Sequence, residues 1–245
     1  IQRVTEYEVA QKGGNVIAEQ ARNQKDSLTK TLLLLINATT KQHDTIATGG
    51  NDFRSFTFSE DGTRLAFLAE RDARPKELIK YYKLFLFRAM DDTARQIVDR
   101  NTMGMRLGYT VSEFGKPRFS KSGSRLYFGA APIKSAADTS LPEIDQVKVD
   151  VWHYNDDYLQ TQQLFNLKRD LERNYLAVFD LRDLTLMHLE SEKISQVITT
   201  AEGDGETAFG ISDWGYRIET QWKGVSKKDI YKIDVATGDT TLIKK

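Results

Sequence analysis

The decapeptide Phe58-Ser-Glu-Asp-Gly-Thr-Arg-Leu-Ala-Phe67 returns as Phe119-Ser-Lys-Ser-Gly-Ser-Arg-Leu-Tyr-Phe128, with six of its ten positions identical. Each copy reads as a strand, a tight polar turn and a second strand. The turn ends on a glycine, Gly62 or Gly123, which adopts the positive φ that closes a hairpin without steric cost. After the turn, Leu65 and Phe67 alternate with Arg64 and Ala66, and Leu126 and Phe128 with Arg125 and Tyr127. A period of two marks a half-buried strand. One such hairpin cannot bury its apolar face alone, so its recurrence predicts an array of small sheets that cover one another.

A second hairpin type alternates with the first. Its strand pairs are Thr31–Ala38 with Asp44–Ala47, Tyr82–Arg88 with Arg95–Val98, Tyr175–Leu181 with Leu184–Leu189, and Ile230–Val235 with Thr240–Ile243. The joining turns are rich in Asp, Thr or Gly, as hairpin chemistry requires. Val4–Ala10 with Val16–Gln20 opens the first unit, and Glu206–Ile211 with Tyr216–Trp222 opens the fourth. Together these predict an all-β fold, a partial β-propeller domain over 1–245. Its four four-stranded blades fall at about 4–49, 52–100, 115–190 and 194–243. A β-sandwich is the competing architecture, but it does not normally repeat one signature at the same place in successive sheets.

The third unit carries a partly helical insertion at about 132–174. Ile133–Pro142 reads as a surface loop, and Val147–Tyr154 as an extra strand. Asp156–Arg173 reads as a helix with Leu164, Leu167 and Leu171 on one stripe, capped by Asp156 or Asp157. Such an insertion either reaches a neighbouring domain or pocket, or covers a sheet edge.

Composition removes several functions. Lysine plus arginine equals aspartate plus glutamate, at 35 each, so no broad basic field exists for nucleic acid or anionic lipid. The longest apolar run, Leu32–Ile36, is far short of a membrane span. With no cysteine there are no disulfides or thiolate metal sites. None of His43, His153 and His188 belongs to a paired-histidine motif, and no cofactor or metal is expected. Near His153, the carboxylates Asp150, Asp156 and Asp157 read as polar ends of a strand and a helix rather than a cation site. Gly210-Ile-Ser-Asp-Trp-Gly215 has one residue too many for a nucleophile elbow and a hairpin context. No catalytic residues are expected. The opening Ile-Gln-Arg suggests a processed or truncated product.

One block is more specific. Val149-Asp-Val-Trp-His-Tyr-Asn-Asp-Asp-Tyr-Leu-Gln160, then Gln163 and Arg173-Asn-Tyr-Leu-Ala-Val-Phe-Asp180, resembles the propeller domain of prolyl-oligopeptidase-family serine peptidases. The bacterial dipeptidyl-peptidase-IV-like or acylaminoacyl-peptidase-like group is the nearest branch. Phe67–Asp72 and Gly108–Glu113 resemble it as well. The resemblance implies a seven- or eight-bladed propeller capping a C-terminal α/β-hydrolase domain, which supplies Ser, Asp and His. Four units are too few for that ring, so an excised, non-catalytic portion is expected, filtering or positioning peptide substrates. The family's dipeptidyl peptidases hold the substrate amino terminus with adjacent glutamates, and no Glu-Glu occurs here. Trp152, His153, Tyr154, Asp156 and Asp157 are the candidate substrate contacts. The resemblance also implies a periplasmic or secreted location, and an incomplete ring implies self-association through its open edges. A stand-alone interaction scaffold is the alternative; a stand-alone propeller enzyme would need carboxylates paired across a cavity.

Overall fold

In the computed structural model, which describes residues 1–23, 25, 30–74, 76–136 and 151–245, the alternating runs form four antiparallel sheets in chain order. Sheet one is β1 (Val4–Val9), β2 (Asn15–Gln20), β3 (Leu32–Asn37) and β4 (His43–Thr48). Sheet two is β5 (Asp52–Phe58), β6 (Arg64–Glu70), β7 (Lys83–Arg88) and β8 (Arg95–Val98). Sheet three holds β9 (Tyr109–Val111), β10 (Arg118–Phe119), β11 (Arg125–Pro132), β12 (Tyr175–Asp180) and β13 (Thr185–His188). Helix α1 (Gln160–Leu171) lies between β11 and β12. Sheet four is β14 (Gln196–Ile198), β15 (Thr207–Ser212), β16 (Asp229–Asp234) and β17 (Thr240–Lys244), with helix α2 (Arg217–Lys223) between β15 and β16.

The repeated decapeptides fold identically. Ser59 and Ser120 each donate their backbone N–H to the carbonyl of Arg64 and Arg125, whose own N–H donates to the serine hydroxyl, and Gly62 and Gly123 each donate back to that serine carbonyl at 2.9 Å. Both glycines have positive φ, 72° and 70°. At Gly62 a Cβ would also collide with the Lys12 carbonyl, so the turn of sheet two presses on the turn of sheet one. The repeated arginine has a structural reason too. Arg64 donates to the Gly123 carbonyl on sheet three. Arg125 donates to the Gly205 and Asp204 carbonyls on sheet four, at 2.7 and 3.1 Å. Each copy of the motif therefore ties its sheet to the turn of the next.

Packing decides between propeller and sandwich. On β6, Leu65, Phe67 and Ala69 pack with Ile17, Leu33 and Ile46 of sheet one. The intervening Ala66 and Leu68 pack with Leu126, Phe128 and Ala177 of sheet three. On β11, Tyr127 turns the other way and meets Ala208 and Ile233 of sheet four. The two middle sheets thus bury both faces, whereas a two-sheet sandwich buries one face of each sheet. The opening strands β1, β5 and β10 approach one another at the hub. The fold is a partial β-propeller of four sheets.

Five expectations need correction. Sheet three is five-stranded, because β9 pairs with the far end of β11 beyond the two-residue β10. Sheet four opens on β14, which at three residues is too short to show a period. Tyr216–Trp222, expected as a strand, is mostly α2: Arg217 pairs with Asp213 and Lys223 with Glu219 at helical spacing, and Gly224 ends the helix in the left-handed region. Helix α1 starts at Gln160, with Leu159 at its N-cap and no side-chain cap, and none of its residues is buried. Of the expected strand Val147–Tyr154, 147–150 lie outside the described residues and 151–154 are not extended ladder. The loop Ile133–Pro142 lies within the described residues only to Ala136. No helix among the described residues is long and apolar enough to cross a membrane.

Candidate functional site

Among the described residues, β1, β5, β10 and β14 each pair with one strand only, so the other edge of each carries no ladder, whereas β9, beside β10, also bridges Tyr82 through Val111. β1, β5, β10 and the turn after β14 surround an open cavity of about 900 Å³. Its lining alternates in charge: Glu8, Glu60 and Glu202 against Lys116, Arg118 and Lys121, with Phe56 and Phe58 beneath. Lys121 pairs with Glu202, and Lys12 with Glu60 at 2.9 Å, across adjacent turns. These pairs are exposed, and such pairs contribute little stability. They leave polar groups of both signs within reach of anything threading the hub.

At the other end of β5, Asp52 and Arg54 share one face because they are two residues apart. Arg54 donates through Nε to Asp52 at 2.6 Å and through Nη1 to Glu113. Its guanidinium lies 5.4 Å from the Tyr82 ring centroid, and the Tyr82 hydroxyl donates to Asp52. Burial and then Asp52 hold the Tyr82 hydroxyl protonated. Burial first, then neighbouring carboxylates including Asp52, also raise Glu6. These bonds join β5, Tyr82 and Glu113, which suits a structural tie between sheets two and three. Sequence reasoning missed it. The Asp52–Arg54 spacing was visible, but Glu113 is 59 residues from Arg54 and only the fold brings it near.

The insertion residues lie away from the hub lining. Trp152 and Tyr154 are 66% and 84% exposed, and the His153 ring packs at a tilt against Tyr154 with centroids 4.2 Å apart. Asp156 accepts the backbone N–H of His153 at 2.8 Å, which closes the loop before α1. Asp157 pairs with Arg217 Nη1 at 3.0 Å. Arg217 is nearly buried, also pairs with Asp213 at 2.8 Å, and sits over the Tyr158 and Trp214 rings. The insertion is thereby latched to α2 of sheet four. Removing one partner of such a pair strands the other. Arg217→Met is expected to raise the rate of proteolytic cleavage within 151–159 by at least about tenfold, read by mass spectrometry under limiting protease.

Among the described residues no cluster of His, Asp and Glu could hold a metal ion. His188 accepts the Arg106 backbone N–H at Nε2, 3.2 Å away, and its buried Nδ1 has no partner. Burial, then the Arg106 charge, pushes its pKa down to about 4. The unfolded chain therefore takes up this proton first, from about pH 6.5 downward. The stability held by neutral His188 is complete above that pH and lost as pH falls toward 4, up to about 3 kcal/mol. Asp61, through the Ser59 hydroxyl, and Asp180, through Arg182, are held at about 2 and titrate below this window. Urea unfolding of His188→Gln should show a flatter profile between pH 6.5 and 4 than the parent chain.

No protein-family model matches the chain, and no curated protein matches its sequence. Solved structures do resemble it. TolB from Acinetobacter baumannii aligns at 10% identity and a TM-score of 0.39, over 94% of this chain and 41% of that one. The acylaminoacyl peptidase of Pyrococcus horikoshii aligns at 12% and 0.46, over 99% of this chain and 32% of that one. The β-propeller domain of the Trilobed protease from Pyrococcus furiosus aligns at 12% and 0.31, over 100% of this chain and 72% of that domain. The chain thus spans less than half the length of the first two. At these values the assignment stands on the sheets and their packing: the chain is a partial β-propeller domain.

Proposed function

We propose that the chain is the non-catalytic propeller portion of a serine peptidase of the prolyl-oligopeptidase family, within its dipeptidyl-peptidase-IV-like or acylaminoacyl-peptidase-like branch. It admits and orients extended peptides for an α/β-hydrolase domain of the parent polypeptide, in the periplasm or outside the cell. The observation that carries this is the axial cavity of about 900 Å³, rimmed by free strand edges and by side chains of both charges. A free edge offers unpaired N–H and C=O groups, and an extended peptide can pair with them by strand addition. Alternating charge grips a zwitterionic chain without selecting one sequence. The sequence block at 149–180 supports the family; of the five insertion residues read as substrate contacts, exposed Trp152, His153 and Tyr154 stay available to a peptide, while Asp156 and Asp157 are engaged by the His153 N–H and by Arg217.

Fluorescence anisotropy with a labelled, unstructured, mixed-charge decapeptide tests the proposal. Saturable binding is expected, weakened at least about tenfold by the paired hub variant Glu60→Lys with Arg118→Glu. The chain alone should leave the peptide intact. Binding indifferent to the hub variant, or cleavage by the purified chain, would overturn the proposal.

A further inference from the structure

A second cavity, of about 370 Å³, opens at the junction of sheets two and three. Glu113 and Phe114 line it, while Lys116 and Pro117 of the same loop line the hub. Three segments meet around it. Tyr82 bridges Val111 across the junction, β9 pairs with the far end of β11, and the end of α1 brings Leu171 and Arg173 alongside. Its apolar lining is not sealed: Leu78 and Phe114 are 56% and 45% exposed, and Ile79 and Ile133 stand beside them, half-buried. Large apolar side chains around an open cavity of this size are what a small ligand covers. The charged groups of the lining are unequal in sign. Lys80, Lys134 and Arg173 stand against one carboxylate, Glu113, which Arg54 already holds. Arg173 pairs with Asp170 at 3.2 Å. Lys134 donates to the Leu171 carbonyl at the end of α1 and lies 5.6 Å from the Phe114 ring centroid. Lys80 is exposed and has no carboxylate partner among the described residues.

We propose that this cavity takes the C-terminal residue of a peptide, with its apolar side chain against Phe114 and Ile133 and its free carboxylate toward Lys80 and Lys134. The inference rests on the reading of this chain as a peptide binder and adds an end-specific anchor to it. Charge selects the ligand. An ammonium group would meet only Glu113, which Arg54 already neutralises. A neutral apolar group would gain nothing from the lysines. A carboxylate gains Lys80, and an ion pair formed against an apolar wall is screened less than one in open water. The volume lies at the small end of ligand pockets, which suits one residue rather than a folded segment. Because the loop from Glu113 to Pro117 borders both cavities, a chain anchored here by its last residue has only to cross that loop to reach the hub.

Methyl-resolved NMR of the 245-residue chain, titrated with N-acetylphenylalanine and with its amide, reads the cavity directly. Saturable shifts at Ile79 and Ile133 are expected for the acid, with a dissociation constant of about 1 mM or below. The amide should bind at least about fivefold more weakly. Lys80→Glu should weaken the acid at least about fivefold and leave the amide unchanged. Lys80 is exposed, and an unaltered methyl spectrum away from the cavity verifies that the variant folds. Decapeptides ending in phenylalanine, with the terminus free or amidated, carry the test to the peptide itself and should differ in the same way. Equal binding of acid and amide, or shifts that avoid Ile79 and Ile133, would overturn this inference alone if the hub variant Glu60→Lys with Arg118→Glu still weakened the decapeptide. Acid-selective binding of N-acetylphenylalanine with no difference between the decapeptides would mark a small-acid site and overturn the peptide assignment. A decapeptide that fills this cavity through its free terminus but ignores the hub variant would support the anchor and remove the hub reading instead.

Discussion

Phe67→Ala is expected to lower the free energy of unfolding by about 3–5 kcal/mol, measured by urea denaturation with fluorescence and dichroism in parallel. Phe67 is fully buried at the junction of sheets one and two. Its ring stacks on Phe85 with centroids 5.4 Å apart and meets Phe56 and Phe53 at 5.9 and 6.0 Å. Truncation removes this aromatic contact set and leaves a cavity that two flat sheets cannot collapse to fill. Phe128, its counterpart in the repeat, fills the next junction and should be about as costly to truncate. A loss below about 1 kcal/mol at both positions would mean that the sheets do not stack through these residues.

Arg125→Ala should cost about 2–4 kcal/mol by the same measurement. The Arg125 side chain is 5% exposed, and its guanidinium is the polar tie between sheets three and four. It serves the Gly205 and Asp204 carbonyls and lies 3.6 Å from Asp180. Asp180 keeps Arg182 at 2.8 Å, so the greater part of the loss falls on the carbonyls left without a donor. Arg64 holds the equivalent place one sheet earlier, but it is only half-buried and serves a single carbonyl. Arg64→Ala should cost clearly less. The reverse ranking would contradict the role assigned to the repeated arginine.

Much of this architecture was legible in the chain because sheet formation here is local. The Phe-Ser-x-x-Gly hairpins, the alternation of β5–β7 and the turns at Thr39 and Asp183 need only near neighbours. The failures also have physical causes. Tyr216, Ile218, Thr220 and Trp222 alternate as a strand would, yet the Asp213–Arg217 and Glu219–Lys223 pairs and the left-handed Gly224 favour a helical turn. In α1, the Leu164, Leu167 and Leu171 stripe promised a buried face, but each leucine is about half exposed. The candidate site was the least legible part. Asp157 finds Arg217 across 60 residues, and Arg54 finds Glu113 across 59, distances that no local pattern encodes. The hub cavity belongs to four separate strands or turns and exists only once the sheets are stacked.

Nuclear Overhauser contacts between labelled methyl groups test the stacking itself. Side-by-side sheets require cross-peaks from Leu65 to Leu33 or Ile46 of sheet one, and from Leu68 to Leu126 of sheet three. Leu33 and Leu126, on opposite sides of sheet two, should share none. A direct Leu33–Leu126 contact, or silence between Leu68 and sheet three, would contradict the propeller.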